Sequence, residues 1–457
     1  MEQFKLKFIG GAGTVTGSKI LLQYDNKNIL IDCGLFQGLK ELRKLNWESL
    51  PIDAAKIDAV LLTHGHLDHC GYLPVLVKNG FKGKIYATSP TIALSQIILL
   101  DSGKIQEEDA NRANSYGFTR HDKALPLYTQ ANALAVSAHF SSHQYDEWVH
   151  LFPEIKFAFH NAGHIVGSAI VEVKIKDKTI LFSGDLGRKD PLLLYPAFKK
   201  IQPNYLVVES TYGDRIHAEV DVKSQLEQVI KKSIEKSATV LIPAFAVERT
   251  QEIIYLLYKL KQENRLGNIP IYLDSPMATK VSEVYHDHLE LTDLTKEDRK
   301  NMFKDVHFVE DYKASEALVN DKRPKIVIAG SGMLEGGRML NYLKNHLKNE
   351  ETTLLFCGYQ ATGTRGRAIL EGTHAVKIHG EYYDIKCNIE SITNMSSHAD
   401  QSEILNWMSN FTNTLETVFL NHGEPHQSQA LRVAINTKFD IMPIVPFINE
   451  SFKLKAD

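Results

Sequence analysis

Four side chains that commonly bind metal ions lie close together in this sequence, and they constrain its fold more than any other feature. His64, His66, Asp68 and His69 directly follow residues 59–62, an apolar run that predicts a buried β-strand. A tight loop at the carboxyl end of a strand is where α/β proteins place their chemistry. Imidazole and carboxylate groups without thiolate favour zinc, or a similar divalent ion, in an incompletely closed catalytic site. The sequence therefore predicts a metal centre built on a β-sheet.

In that loop, His64 and His66 can reach one ion while Asp68 and His69 reach a second. The loop alone does not complete the coordination of either ion, so further ligands must come from later turns. Three other candidates each lie beside a glycine where a predicted strand ends: His164, Asp185 and His422. Glycine lets the backbone bend sharply enough to approach a metal. Any one of the three, taken alone, is explained as well by a hydrogen-bonded turn.

Length and charge limit what the rest of the chain can be. At 457 residues the chain exceeds what one hydrophobic core usually supports, which predicts two domains or one domain with a large insertion. The formal net charge of -3 gives no overall basic character, so any contact with nucleic acid must come from a local patch. No apolar run reaches the roughly 20 residues of a membrane helix, and the N-terminus lacks the layout of a secretory signal.

The cysteines point to a reducing compartment. Cys33, Cys70, Cys357 and Cys387 are widely separated and form no CxxC pair, so neither a disulfide framework nor a thiolate zinc knuckle is indicated. Because there is also no signal or membrane segment, we expect a cytoplasmic protein that does not associate with membranes.

The spacing of apolar residues predicts two architectures in turn. Short strands dominate up to about residue 208, for example at residues 19–24 and 169–175, and with the helices between them they outline an αββα sandwich. From about residue 211, longer helices alternate with strands, as in a parallel α/β domain. After about residue 372 the short strands return. We therefore expect a first domain at residues 1–210, an inserted domain at 211–371, and the remainder of the first domain at 372–457.

The metal-binding segment, followed by isolated histidine, aspartate and histidine residues, resembles the metallo-β-lactamase superfamily over nearly the whole chain. This resemblance implies a metallo-β-lactamase αββα sandwich that binds two Zn2+ ions and uses a hydroxide activated by both. It implies one ion on His64, His66 and His164, and a second on Asp68, His69 and His422. Asp185 would bridge the ions, so that Asp68 and Asp185 count as catalytic. Asp32, otherwise a plain turn residue, would hydrogen-bond the ligand loop.

Three positions resemble the motifs of the β-CASP ribonucleases within that superfamily: Glu209, His398 and His422. The resemblance implies that the insertion is an α/β β-CASP domain. It also implies a zinc-dependent ribonuclease that cuts single-stranded RNA, as an endonuclease or a 5′ exonuclease, in RNA processing or decay. His398 would supply a proton or a positive charge when the alkoxide leaves, and Glu209 would orient it. A solvent-facing acid at a helix cap is the alternative for Glu209.

Two glycine-rich stretches, residues 330–338 and 358–367, each follow an apolar strand and are similar to segments of β-CASP nucleases. Backbone N–H groups at such turns, and arginines beside them, bind phosphate oxygens. The candidate residues for binding RNA phosphates are Ser331, Gly332, Arg338, Thr364, Arg365 and Arg367. Glycine-rich turns that serve only packing are the alternative.

Within the family, the chain resembles compact bacterial members related to the nuclease subunit of the polyadenylation factor, because it shows no KH-type leader or long C-terminal dimerisation domain. Homodimer formation is left open. Two rival functions are a small-molecule hydrolase of the same fold, such as a thioesterase or lactonase, and a non-catalytic RNA-processing subunit. The first leaves Glu209 and His398 without a role, and the second does not explain why every expected ligand is present.

Overall fold

The computed structural model describes residues 2–117, 122–361, 363–392 and 394–456, and β-strands occur in each of these ranges. In chain order the strands are β1 (Gln3–Gly10), β2 (Lys19–Tyr24), β3 (Lys27–Ile31), β4 (Ala59–Leu61), β5 (Lys84–Ala87), β6 (Phe140–Ser142), β7 (Val149–Phe152), β8 (Ile155–Asn161), β9 (Ala169–Ile175), β10 (Lys178–Phe182), β11 (Tyr205–Glu209), β12 (Thr239–Pro243), β13 (Ile271–Asp274), β14 (Val306–Phe308), β15 (Lys325–Ala329), β16 (Thr353–Cys357), β17 (Ala375–Ile378), β18 (Glu381–Asp384), β19 (Asn388–Ile392), β20 (Thr417–Asn421) and β21 (Ser451–Lys455). Strands β2 and β9 begin and end where the sequence pattern predicts.

The α-helices connect these strands. They are α1 (Lys40–Lys44), α2 (Leu67–Cys70), α3 (Leu73–Lys78), α4 (Ser89–Ser115), α5 (Gln130–Ala135), α6 (Val222–Glu235), α7 (Arg249–Gln262), α8 (Pro276–Asp287), α9 (Lys296–Asn301), α10 (Tyr312–Asn320), α11 (Met339–His346), α12 (Arg365–Leu370), α13 (Gln401–Met408) and α14 (Pro425–Phe439). None of the helices in the described ranges is long and apolar enough to cross a lipid bilayer. The four cysteines are free and buried.

Two β-sheets form the centre of the first unit, which consists of Met1–Ile216 and His398–Asp457. The first sheet has the order β21-β1-β2-β3-β4-β5-β6, and the second has the order β20-β11-β10-β9-β8-β7. Alternate residues of a strand point to the same face. Phe4 and Phe8 of β1 therefore join Phe157 and Phe159 of β8 in one buried cluster between the sheets. Burying each phenylalanine contributes about 2 kcal/mol to folding.

Helices cover the outer faces of both sheets. On the first sheet, Leu30 and Val60 share a buried cluster with Leu76 of α3 and Leu99 of α4. On the second sheet, strand residues cluster with Ile404 of α13 and with α14. The first unit is therefore the αββα sandwich that the sequence predicts.

Several strands of the first unit end at the same edge. Strands β3 and β4 run parallel in the first sheet, and β10, β11 and β20 run parallel in the second. Strand β8 points the same way as β10, because both are antiparallel to β9. The residues that follow these strands are consequently brought near one another although they are far apart in sequence.

The second unit, His217–Ser397, is an α/β structure around a parallel sheet of order β14-β13-β15-β12-β16-β19. Helices α6 and α7 pack on one face, where Leu226 and Ile253 join the strand residues. Helices α10 and α11 pack on the other face, where Leu318 and Leu343 do the same. Both faces of a parallel sheet need such cover, which explains the continuous apolar runs of its strands.

The predicted return to the first domain at residue 372 was wrong. Strands β17 and β18 form a separate hairpin, and β19 joins the parallel sheet beside β16, so the second unit extends to Ser397. Short strands with turns around them do not reveal which sheet they join, because the partner strand is chosen by hydrogen bonds between distant residues. The other boundary, expected after residue 210, lies after Ile216.

His160 of β8 lies between two carboxylates in the second sheet. Its Nδ1 is 2.6 Å from Asp146 Oδ1 and its Nε2 is 2.9 Å from Glu172 Oε2, while its ring stacks on Phe198. Lys174 Nζ lies 3.7 Å from the other oxygen of Glu172. Burial lowers the pKa of His160, but the hydrogen bonds and charges of Glu172 and Asp146 outweigh burial and raise it above its usual value.

We expect this histidine to make the stability of the fold depend on pH. A histidine whose pKa is raised in the folded state stabilises the fold fully below about pH 6.5, the usual pKa of an unfolded histidine. This stabilisation is lost as the pH rises through the pKa of the folded state. His160→Gln should cost about 2 kcal/mol at about pH 6 and progressively less toward pH 9. Thermal unfolding in the presence of chelator measures the stability of the wild type and of His160→Gln across this pH range. The same dependence of stability on pH in both proteins would contradict the raised pKa of His160.

Candidate metal centre

Three imidazole nitrogens and a carboxylate face a common space where strands of the first unit end. His66 Nδ1 lies 3.1 Å from His64 Nε2 and 3.2 Å from His164 Nε2. Asp185 Oδ2 lies 3.5 Å from the same His64 nitrogen and 3.6 Å from the same His164 nitrogen. The candidate ligand atoms of these four residues all lie within 4.8 Å of one another.

A second group lies beside the first. His422 Nε2 is 3.2 Å from His69 Nε2 and 3.3 Å from Asp68 Oδ2. Helix α2 carries Asp68 and His69 on its single turn, whereas His64 precedes the helix in the loop after β4. The sequence analysis located this segment after the right strand, but it described the whole segment as a loop and missed the turn of helix.

Asp185 touches both groups. Its Oδ2 faces the first group, and its Oδ1 lies 3.3 Å from His69 Nε2 and 3.3 Å from His422 Nδ1. Asp185 is buried, and among the described residues its Oδ1 has no hydrogen-bond partner. Burying such an oxygen without a partner is costly, as is aiming several nitrogen lone pairs at one space. A divalent cation in each group would satisfy these atoms, and the histidine and carboxylate donors fit such a cation.

Asp32 and Thr63 fix which nitrogen of each ring faces the groups. Asp32 Oδ2 accepts hydrogen bonds from His69 Nδ1, at 2.7 Å, and from the Thr63 hydroxyl, at 3.0 Å. Because that hydroxyl donates to Asp32, it accepts from His64 Nδ1, which lies 3.0 Å away. The Nε2 lone pairs of both rings therefore stay free for a metal. Asp32 thus hydrogen-bonds the ligand segment, and its supporting role in a metal site stays a prediction.

The glycines beside the candidate ligands have the expected role in two turns. Gly163 and Gly184 adopt φ angles of 68° and 54°, which favour glycine. A Cβ on Gly184 would also lie only 2.8 Å from Thr63 Cβ. His422 itself adopts a φ of 50°, and the next residue, Gly423, has no room for a Cβ against Ser210.

His398 and Glu209 form a pair at the edge of the first group. His398 Nδ1 lies 3.2 Å from Glu209 Oε2 and 4.0 Å from Asp185 Oδ2, and its ring lies against that of His164. Glu209 ends β11, is buried, and accepts the Leu186 N–H at 2.5 Å. Its burial and its contact with His398 argue against the solvent-facing cap. The imidazole of His398 stays about one fifth exposed.

Local electrostatics shift the pKa values of His66 and His398 in opposite directions. Burial lowers the pKa of His66 to about 4, which keeps it neutral and available as a ligand. Burial also lowers the pKa of His398, but the charge and hydrogen bond of Glu209 outweigh burial and raise it to about 9. For Asp68, burial is outweighed by the hydrogen bond to His422, which holds the pKa at about 2.

Two supporting threonines were missed from the sequence. Thr63 links Asp32 to His64, and Thr211 Oγ1 lies 3.2 Å from His422 Nδ1. Thr63 directly precedes His64, and Thr211 lies two positions after Glu209. Hydroxyl groups so close to ligand motifs were the available signal.

Comparison with known proteins decides the family. Family models match the metallo-beta-lactamase superfamily at residues 13–214, the Beta-Casp domain at 250–369, and the Zn-dependent metallo-hydrolase RNA specificity domain at 382–446. A ribonuclease from Thermus thermophilus is 36% identical over 432 residues, which cover 92% of this chain and 94% of that protein. The chain belongs to the β-CASP ribonucleases of the metallo-β-lactamase superfamily. Such metallo-hydrolases use divalent metal, and this β-CASP chain provides its candidate ligands in the two groups described above.

Two further matches extend this β-CASP assignment. A transcription termination factor from Cenarchaeum symbiosum is 30% identical over 476 residues, which cover 99% of this chain and 71% of that protein. A crystal structure of a protein of unknown function from Enterococcus faecalis matches with a TM-score of 0.59 and 13% identity, and covers 99% of this chain and 100% of that one. The latter likeness concerns the fold alone.

Two of the arginines predicted to bind RNA phosphates instead bind acceptors within the second unit, which is called the β-CASP unit below. Arg338 Nη1 binds the fully buried Asp274 at 2.5 Å, and its guanidinium also donates to two backbone carbonyls, of Val309 and Glu310. Arg365 donates to the carbonyls of Leu334 and Lys377. These protein acceptors occupy donors that a phosphate would need, so the prediction is corrected for both residues.

The other four candidates of the β-CASP unit stay predictions. Ser331 Oγ accepts backbone N–H groups of its own turn, Gly332 packs against Phe245, and Thr364 caps α12. Arg367 pairs with Glu371 on the surface and keeps its side chain 42% exposed. It is the arginine of the set that is best placed for a phosphate.

Arg338→Ala and Arg367→Ala should separate these roles. Removing Arg338 leaves Asp274 buried without its ion-pair partner, so we expect a loss of about 3 kcal/mol in the stability of the β-CASP unit. Arg367→Ala should change stability by less than about 0.5 kcal/mol, because an exposed pair contributes little. Urea unfolding compares the two variants. An Arg338→Ala protein as stable as wild type would return Arg338 to the candidates for RNA binding.

Proposed function

We propose that this chain is a ribonuclease that hydrolyses phosphodiester bonds of single-stranded RNA with the help of two zinc ions. The observation that carries the proposal is the Glu209–His398 pair, which lies beside the carboxylate of Asp185 shared by both ligand groups. The likeness to a ribonuclease and to an RNA specificity domain supports RNA as the substrate. Cytoplasmic location and homodimer formation stay predictions.

The proposal gives each candidate ligand a place. His64, His66 and His164 would hold one ion, and Asp68, His69 and His422 would hold the other, with Asp185 contacting both. A pair of divalent cations, when bound, lowers the pKa of water and offsets negative charge on a phosphoryl oxygen. The histidine-rich donor set favours zinc over manganese or magnesium.

The chain's own residues then orient groups and move a proton. Asp32 and Thr63 hold the rings of His69 and His64 so that Nε2 faces the site. Glu209 binds His398 through Nδ1, and in this proposal His398 Nε2 protonates the departing 3′ or 5′ oxygen of the RNA. A raised pKa keeps that proton on His398 near neutral pH.

The two rival functions fit the structure less well. A small-molecule hydrolase of this fold would have no use for the buried Glu209–His398 pair. A non-catalytic subunit would have no reason to keep seven candidate ligands in two compact groups. Both rivals predict that the protein leaves RNA intact.

A circular single-stranded RNA and a 5′-labelled linear RNA test the proposal together. We expect purified protein to degrade RNA, to stop when EDTA is added, and to recover when zinc is restored. An opened circle shows internal cleavage, whereas a shortened linear RNA beside an intact circle shows exonuclease action. If neither RNA is cut in the presence of zinc or manganese, the proposal is wrong.

A further inference from the structure

A groove on the first unit opens beside the segment that carries Asp68 and His69. It encloses about 340 Å³, and its lining includes three cations and an indole ring, those of Lys40, Arg43, Lys44 and Trp47. These four residues come from α1 and from the turn directly after it, Leu45–Trp47. None of them has a role in the metal centre described above.

Backbone contacts fix the groove to the metal centre. Leu35, which also lines the groove, donates its N–H to the carbonyl of Leu67, between His66 and Asp68 in sequence. Cys33 donates its N–H to the His69 carbonyl at 2.7 Å. Gly34 lies so close to the Asp68 carbonyl that a Cβ would overlap it. Residues 33–35 therefore connect the groove to the segment that carries Asp68 and His69.

The turn with Trp47 is held in place by Asn46. This buried side chain accepts the Phe36 N–H at 2.9 Å and donates to the Phe36 carbonyl at 2.8 Å. Because both hydrogen bonds go to the backbone, the turn is fixed against the segment that follows Asp32. Trp47 is thus presented on a supported turn.

The exposed surface of this groove is aromatic and basic. Trp47 is 64% exposed, although a tryptophan normally buries most of its ring. Lys40 and Arg43 are exposed beside it, and Lys44 is paired with Glu41 at 2.8 Å. The described residues that line the groove include three cations and no carboxylate, in a chain whose formal net charge is -3.

We propose that this groove binds the part of a single-stranded RNA next to the bond that is cut, with Trp47 stacked on a base and Lys40 and Arg43 against phosphates. This inference rests on the proposed function. Unpaired bases stack on exposed aromatic rings and their phosphates bind nearby cations, which is the usual way to hold a single strand without reading its sequence. An acidic protein segment would match the charge but not the flat exposed ring.

Fluorescence anisotropy with a labelled single-stranded RNA tests the groove in the presence of EDTA, so that the RNA stays intact. Trp47→Ala should weaken binding about 10-fold, since stacking contributes enough per base for a tenfold change, while Trp47→Phe should retain most of the affinity. Lys40→Ala with Arg43→Ala should reduce the slope of log affinity against log salt by about 1.4, or about 0.7 per phosphate contact.

Trp148 provides a matched control. It is 37% exposed and lies beside two lysines, Lys156 and Lys174, at the far edge of the second sheet from β20. Trp148→Ala should bind RNA as wild type does. An equal loss for Trp47→Ala and Trp148→Ala would mean that RNA binds any basic aromatic patch, and would overturn the inference.

The outcomes for the groove differ from those for the proposed function. If the wild type cuts RNA while the Trp47 and Lys40/Arg43 variants bind it unchanged, the groove inference is wrong and the function stands. The same result, together with loss of a co-purifying acidic protein, would assign the groove to that protein instead. If the wild type neither binds nor cuts RNA, both proposals are wrong.

Discussion

Asp185→Ala is expected to strip the protein of most of its bound metal and to lower RNA cleavage about 1000-fold or more. The carboxylate faces both sets of candidate ligands, at 3.5 Å from His64 Nε2 and 3.3 Å from His69 Nε2. Its removal takes a donor from each set and removes a negative charge that lies beside one nitrogen each of His64, His164, His69 and His422. Metal ions commonly supply several kcal/mol of charge stabilisation in such hydrolases, which corresponds to about three orders of magnitude in rate.

Elemental analysis of the purified variant, beside the rate of RNA cleavage, measures this effect. Glu172→Gln is the matched control, because Glu172 is a buried carboxylate of the same sheet that binds His160 outside the site. We expect the control to keep its metal. Full metal content in Asp185→Ala with lost activity would make Asp185 a catalytic group rather than a ligand, and full activity would refute the centre altogether.

The second large effect is expected from His398→Ala, which should lower the rate of RNA cleavage by about 10²- to 10⁴-fold and leave the metal content unchanged. His398 contacts Glu209 through Nδ1 and lies 4.0 Å from Asp185 Oδ2, whereas the nearest nitrogens of four candidate ligands lie 3.3 to 3.6 Å from the Asp185 carboxylate, those of His64, His69, His164 and His422. The alkoxide that leaves during phosphodiester hydrolysis is a poor leaving group without a proton. Removing the imidazole should therefore slow the chemical step rather than binding.

The leaving group distinguishes this role from a structural one. A nucleotide p-nitrophenyl ester releases a phenolate that needs no proton, so the His398→Ala defect should largely disappear with that substrate. Glu209→Gln should show a smaller defect of the same kind, because Glu209 acts by positioning His398. If His398→Ala loses metal in proportion to activity, His398 is a ligand. An equal defect with both substrates would exclude proton transfer from His398.

A feature of this protein could be predicted when a few adjacent residues encode it. The strand before His64, the glycines beside His164 and Asp185, and the order of the motifs are visible in a few adjacent residues. The metal-binding segment could therefore be located, and its family recognised. The same locality explains the missed threonines, because Thr63 and Thr211 have roles only through partners that the fold brings to them.

The errors have a common cause. Arg338 lies in a glycine-rich turn typical of phosphate binding, yet its charge is used by Asp274, which is 64 positions away in the chain. The strands after residue 372 look like those of the first domain, yet β19 completes the parallel sheet of the second unit. In both cases the partner is a distant residue, and no short stretch of sequence identifies it.

By itself the sequence determined the residue types that bind metal, their spacing and the strands that present them, because these follow from side-chain chemistry and from the alternation of apolar residues along a strand. The family resemblance implied that His64 and His164 share an ion and that Asp185 bridges both groups, but only the tertiary structure provides those contacts. Only the tertiary structure, too, decided that Trp47 lies on a basic groove beside them. Those relations depend on the order and direction of strands in two packed sheets. Long-range hydrogen bonds and the burial of both sheet faces set that order, and neither is encoded in any single segment of the chain.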